Sequence, residues 1–181
     1  MSEIVNHLIS SAEFRESPNC SARPSGANVT LLVIHNISLP PGQFGGIYIS
    51  DFFQNKLDVS ADQYFEEIKN LKVSSHLLID RLGKVIQFVP FNKSAWHAGI
   101  SFFKGQENCN DFSIGIEMEG SDSTEYTNEQ YESLKELTLS LMKAYPKIEL
   151  ESIVGHSDIA PGRKTDPGEF FDWVRYKSDL A

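Results

Sequence analysis

Val29-Thr30-Leu31-Leu32-Val33-Ile34-His35-Asn36 decides the fold. Its first six residues are β-branched or aliphatic, the pattern of a strand covered on both faces rather than a half-exposed one. A sheet covered on both faces needs helices packed on it. The strand is expected to stop at His35-Asn36. There NISLPPGQFGG (residues 36–46) follows, whose two prolines and three glycines forbid regular structure.

Outward from this strand, helices and strands alternate. Short helices are expected over residues 47–54 and 61–71. His76 to Ile79, the turn Asp80-Arg81-Leu82-Gly83 and Val85 to Val89 predict a β-hairpin. Ser113 to Glu119 predicts a strand with Ile114, Ile116 and Met118 on one face and Glu117 on the other; Glu119 reads as solvated. Thr127-Asn-Glu-Gln130 is a capping-box signal. It opens a helix with Leu134, Leu137, Leu141 and Tyr145 on one face, ended by Pro146. A short strand at Ile153-Val154, the loop GHSDIAPGRKTDPG (155–168) and a helix over about 169–177 complete the chain. Residues 1–28 are mostly polar and read as an irregular segment packed on the rest. The expected fold is α/β (α+β): a single domain over 1–181, with a mixed central sheet and helices packed on it.

A formal net charge of -9 argues against nucleic acid or an anionic membrane as partner. No run approaches the roughly 18 apolar residues of a spanning helix. The N-terminus lacks the basic start and apolar run of a secretory signal, so a cytoplasmic location is expected. Cys20 and Cys109 match no metal-knuckle spacing; a single disulfide and two reduced, partly buried thiols both remain open, and the second reading is preferred.

His35, His156 and Asp166 stand where loops leave strands, the usual place for sites. Two imidazoles and one carboxylate form the ligand set of a catalytic zinc that keeps a fourth position for water. A hydrogen-bonded structural histidine and an Asp acting as turn former before Pro-Gly are the competing readings. With no HExxH-type signature, spacing alone leaves both open. Glu117 fits a general base beside a metal, or a solvated carboxylate. Lys164 fits a positive charge near a developing oxyanion, or a surface lysine. Trp96-His97-Ala98-Gly99 suits stacking on a sugar ring, or a core tryptophan. His76 reads as structural, and His7 carries no assignment.

LLVIHNISLPPGQFGG, VSSHLLIDRLGKVIQFVPF, SAWHAGIS, CNDFSIGIEMEG, GHSDIAPGRKTDPG and FDW together resemble a known family. It is that of the zinc-type N-acetylmuramoyl-L-alanine amidases, which share a fold with the peptidoglycan recognition proteins. Within it the chain is most similar to the cytoplasmic branch acting on 1,6-anhydro-N-acetylmuramoyl fragments in cell-wall recycling. The resemblance implies one zinc per chain on His35, His156 and Asp166, and catalytic roles for Glu117 and Lys164. It implies contacts to a muropeptide substrate from Asn36, Lys72, Trp96, His97 and Arg163, and it fits a monomer. It also implies arginines where this chain has Lys72 and Asn108. Lysine keeps the charge without the bidentate fork, and asparagine loses the charge. A non-catalytic peptidoglycan-binding module would lack a ligand or the base, whereas all four residues are present. A broad-specificity amidase acting on intact wall would require export.

Overall fold

The computed structural model describes residues 2–181. Its centre is a six-stranded sheet. In chain order the strands are β1 (Glu13–Phe14), β2 (Leu31–Ile37), β3 (Leu77–Ile79), β4 (Val85–Gln87), β5 (Ser113–Glu119) and β6 (Ile153–Gly155). They lie side by side as β6-β2-β5-β3-β4-β1. β6, β2, β5 and β3 run parallel, while β3 and β4 form the expected antiparallel hairpin. The helices are α1 (Tyr48–Phe53), α2 (Phe65–Ile68), α3 (Asn128–Ala144), α4 (His156–Ile159) and α5 (Trp173–Ser178).

The alternation along β2 and β5 sorts the two faces. Leu32, Ile34, Ile114 and Ile116 pack with Leu134, Leu137 and Leu141 of α3 in one cluster. Burying side chains of this kind contributes roughly 1.5–3 kcal/mol each. Thr127 caps α3: its hydroxyl accepts from Gln130 N at 3.1 Å, and Gln130 Oε1 accepts from Thr127 N at 3.1 Å. On the reverse face, Leu31 and Val33 pack with Ala98 and Ile159. Leu78 and Ile86 meet the aromatic residues of α1 and α2.

Four segments differ from the sequence expectation. β2 runs on through His35 and Asn36 to Ile37, because those residues stay in register with Glu117, Met118 and Glu119. Polarity ends the apolar run; it does not end the backbone ladder. Of residues 61–71, only Phe65–Ile68 are α-helical, preceded by a 3-10 turn at Val59–Ala61. Asp58 accepts from Ser60 N at 3.0 Å and Asp62 from Tyr64 N at 2.9 Å, local bonds that compete with a continuous helix. The last helix starts only at Trp173, capped by Asp172, because Phe171 turns into the core instead.

The N-terminal segment is not irregular. β1 forms the sheet edge against β4, Ile4–Val5 pairs with Leu8–Ile9, and Cys20–Ala22 pairs with Lys93–Ala95. Buried Gln87 fastens it, accepting from Ile9 N at 2.8 Å and donating to His7 O at 3.1 Å. Among the described residues no helix is long and apolar enough to cross a membrane. Both cysteines are free thiols.

Candidate active site

Parallel strands bring their C-terminal ends to one edge of a sheet, where α/β folds build sites. Here β6, β2 and β5 are neighbours. His35 lies in β2 beside its register partner Glu117 of β5, and Gly155 pairs with Ile34, so His156 follows next to His35. His156 begins α4 rather than a loop. Asp166 comes from the turn beyond α4. Its carbonyl accepts from Ser157 N at 3.0 Å, and the turn is tied down by Tyr126 Oη donating to Pro167 O at 2.7 Å.

The three side chains converge. His35 Nδ1 lies 3.0 Å from His156 Nδ1 and 3.0 Å from Asp166 Oδ2, and His156 Nδ1 lies 3.1 Å from the same oxygen. A tetrahedral zinc with bonds of about 2.1 Å spaces its ligand atoms about 3.4 Å apart. The triangle is therefore within a few tenths of an ångström of what such an ion needs. The donor chemistry agrees. His156 Nε2 faces Ala98 O at 3.0 Å, an acceptor only, so it carries the ring proton and leaves a lone pair on Nδ1. Burial pushes the pKa of His35 down to about 4, against the pull of the Asp166 carboxylate, so this ring is neutral at physiological pH. Lone pairs and a carboxylate oxygen in mutual contact are a place for a cation.

Glu117 is 9% exposed, and its Oε2 has no hydrogen-bond partner among the described residues. A buried unpaired carboxylate is costly and points to an absent partner. Burial raises its pKa well above the ordinary value, the charge of Asp166 adds to this, and Lys164 opposes it. Glu117, Lys164 and the three cluster residues all line one cavity of about 350 Å³. Trp96, half-exposed, forms part of its wall with Leu39, Pro41 and Tyr64. Asn36 also lines it, held by its Nδ2 donating to Asp122 Oδ1 at 2.7 Å.

The N-acetylmuramoyl-L-alanine amidase family matches residues 25–169. The chain belongs to this family. It is thus an amide hydrolase of peptidoglycan. It is 53% identical to the 1,6-anhydro-N-acetylmuramyl-L-alanine amidase AmpD of Haemophilus influenzae, over 98% of this chain and 97% of that one. A selenomethionine AmpD crystal structure superposes with TM-score 0.95 at 48% identity, covering 98% of this chain and 99% of its own. The amidase AmiD of E. coli, solved with anhydro-N-acetylmuramic acid-L-Ala-D-γ-Glu-L-Lys, is 30% identical with TM-score 0.62, covering 87% of this chain and 60% of that one.

The remaining residues singled out from the sequence lie around this amidase's cavity in different ways. His97 lines it, but its ring is engaged on both sides, by His35 Nε2 at 2.8 Å and Ser113 Oγ at 3.0 Å. Lys72 lines a smaller neighbouring recess with Lys69, Asn55 and Leu71. Arg163 lies on another side, with Asn108, and donates to Ala98 O and Ile100 O, both at 2.6 Å. His76 is structural: Nδ1 accepts from Gly115 N at 3.1 Å and Nε2 donates to Lys93 O at 3.0 Å. Glu119 is not solvated. It accepts from Gly45 N at 2.6 Å and Arg81 N at 3.0 Å, two loops that its strand position gave no hint of. Sequence reasoning missed Ser113 and Gly115. The signal was present, since both share the alternating face of Glu117.

Proposed function

We propose that this amidase hydrolyses the amide bond between the lactyl group of 1,6-anhydro-N-acetylmuramic acid and L-alanine of the stem peptide. It would do so with one zinc ion per chain, on soluble fragments recycled in the cytoplasm. The observation that carries this is the triangle of His35, His156 and Asp166 on the cavity floor beside the unpaired Oε2 of Glu117. The names of the AmpD relatives, and the anhydro-sugar peptide seated in AmiD, support the choice of substrate.

His35 Nδ1, His156 Nδ1 and Asp166 Oδ2 would hold the zinc. When bound, it supplies Lewis acidity toward a water and toward the amide carbonyl. Glu117 accepts the proton of the attacking water and returns it to the alanine nitrogen as the C–N bond breaks. The dry environment that keeps Glu117 basic makes both transfers available to one group. Lys164 sets positive charge where the carbonyl oxygen becomes negative. Trp96 offers a face to the sugar ring. Asn36, its amide nitrogen engaged by Asp122, keeps Oδ1 for a peptide N–H. Every group comes from one chain, so a monomer suffices.

The test is incubation of the purified protein with an anhydro-muropeptide, with and without chelator, and product identification by mass. Free anhydro-sugar and intact peptide, lost on chelation and restored by zinc, are expected. Full activity after metal removal would overturn the zinc assignment. Efficient release of peptide from intact sacculi would move the chain to the broad-specificity class.

A further inference from the structure

Both imidazoles of the cluster are held, on the side away from the cluster, by one short segment. We propose that His97 and Ala98 set the tautomers of His35 and His156 for metal binding, and that His97 and Asn110 are positioning residues for the site. This rests on the zinc assignment above.

The Ala98 carbonyl fixes His156, because an acceptor at 3.0 Å obliges Nε2 to carry the proton. On the other ring, His35 Nε2 and His97 Nδ1 share one proton across 2.8 Å. With that proton on His35 Nε2, Nδ1 of His35 presents its lone pair to the cluster. His97 then carries its own proton on Nε2 and donates it to Ser113 Oγ at 3.0 Å. The chain of two rings and a hydroxyl stays neutral throughout, as a buried chain must.

The segment is itself anchored. Asn110 Oδ1 accepts from His97 N at 3.1 Å and from Ala98 N at 2.8 Å, and Arg163 donates to the Ala98 carbonyl. The His97 ring lies over Gly115, where a Cβ would come within 2.5 Å of its Cγ. Ser113 and Gly115 thus form a seat on β5 for a ring that reaches no metal itself. Groups that orient a metal-binding histidine typically contribute tenfold to a hundredfold in metal affinity.

Zinc affinity by competition with a chromophoric chelator tests this, with the thermal midpoint of the metal-free protein measured alongside. His97→Ala and Asn110→Ala should weaken zinc binding about 10- to 100-fold. His97→Asn, which keeps an acceptor near the Nδ1 position, and Asn110→Asp, which keeps the paired acceptor, should recover most of it. Unchanged affinity in both alanine variants would overturn the proposal. So would a loss that the conservative variants fail to restore and that follows the metal-free midpoint, since that marks packing alone. If His97→Ala does not fold, Ser113→Ala decides: weaker zinc binding supports the proton chain, and unchanged binding overturns it. Wild-type protein that takes up no zinc would remove the metal assignment itself, a result distinct from all of these.

Discussion

On β5 the side chains of Ile114, Ile116 and Met118 sink into the cluster that contains α3, whereas Ser113, Gly115 and Glu117 on the reverse face meet imidazoles or the open cavity. These six residues therefore serve two purposes with opposite tolerances. The α3 face needs volume and no polar atoms, and many aliphatic combinations satisfy it. The site face needs particular atoms at particular distances: a hydroxyl, a space without a Cβ, then a carboxylate left without a partner. The second face leaves a buried acid unpaired, and burial on the first offsets that cost.

The largest effect expected is on the site side. On the proposed zinc assignment, His156→Ala removes one of three ligand atoms, and two protein ligands would not retain the ion. Metal content by mass spectrometry should fall to background, and muropeptide hydrolysis with it, while the fold persists by circular dichroism. A variant retaining both metal and turnover would break the division between the faces. Next is Glu117→Gln. Zinc and substrate affinity should hold, and kcat should drop by about two to four powers of ten, the span of general-base catalysis. Loss of zinc from this variant would instead make Glu117 a ligand.

Ile116→Ala tests the opposite face of the same strand. Ile116 is fully buried. Its truncation should cost about 2–5 kcal/mol in denaturant unfolding while kcat of the folded protein stays near wild type. A large fall in kcat with native metal content would show that the two faces are coupled through the strand.

The apolar face was legible in the sequence for the same reason that it tolerates substitution. Hydrophobic period and capping are local signals, and they located β2, β5, the hairpin and α3. What stayed hidden depends on partners distant in the chain. Among the strands of residues 2–28, β1 exists because β4 receives it and Cys20–Ala22 because Lys93–Ala95 does, in both cases partners far along the chain. Glu119 is buried because Gly45 and Arg81 reach it from loops. His35, His156, Asp166 and Glu117 could be nominated from their positions at strand ends. That they share one cavity comes from strand order, which β6-β2-β5 fixes and alternation does not reveal. His97 was readable as an aromatic neighbour of Trp96. Its engagement between His35 and Ser113 is a property of three separate segments and had no local signature.

A weaker effect is expected from the cost of the unpaired acid to the metal-free protein. Burial raises the pKa of Glu117 well above the ordinary value of 4.5. The native state therefore keeps a proton that the unfolded chain has already released once the pH exceeds that value. Where the native state binds more protons, stability falls as pH rises. The penalty is absent below the unfolded-state pKa and grows above it until the folded-state pKa is reached, by at most about 1.4 kcal/mol per pH unit for one proton. His35 works in the other direction. Its lowered pKa of about 4 makes the metal-free protein lose stability as pH falls through about 6.5, but it does so equally in wild type and variant. The difference between Glu117→Gln and wild type isolates the acid. Urea unfolding of chelated protein should show the two nearly alike at about pH 4, with the variant gaining as the pH rises above the ordinary carboxylate value. A pH-independent difference would mean that the Glu117 site is wet and that its face of β5 carries no such cost. With zinc restored, the cation offsets the carboxylate charge, and the pH dependence of the difference should flatten.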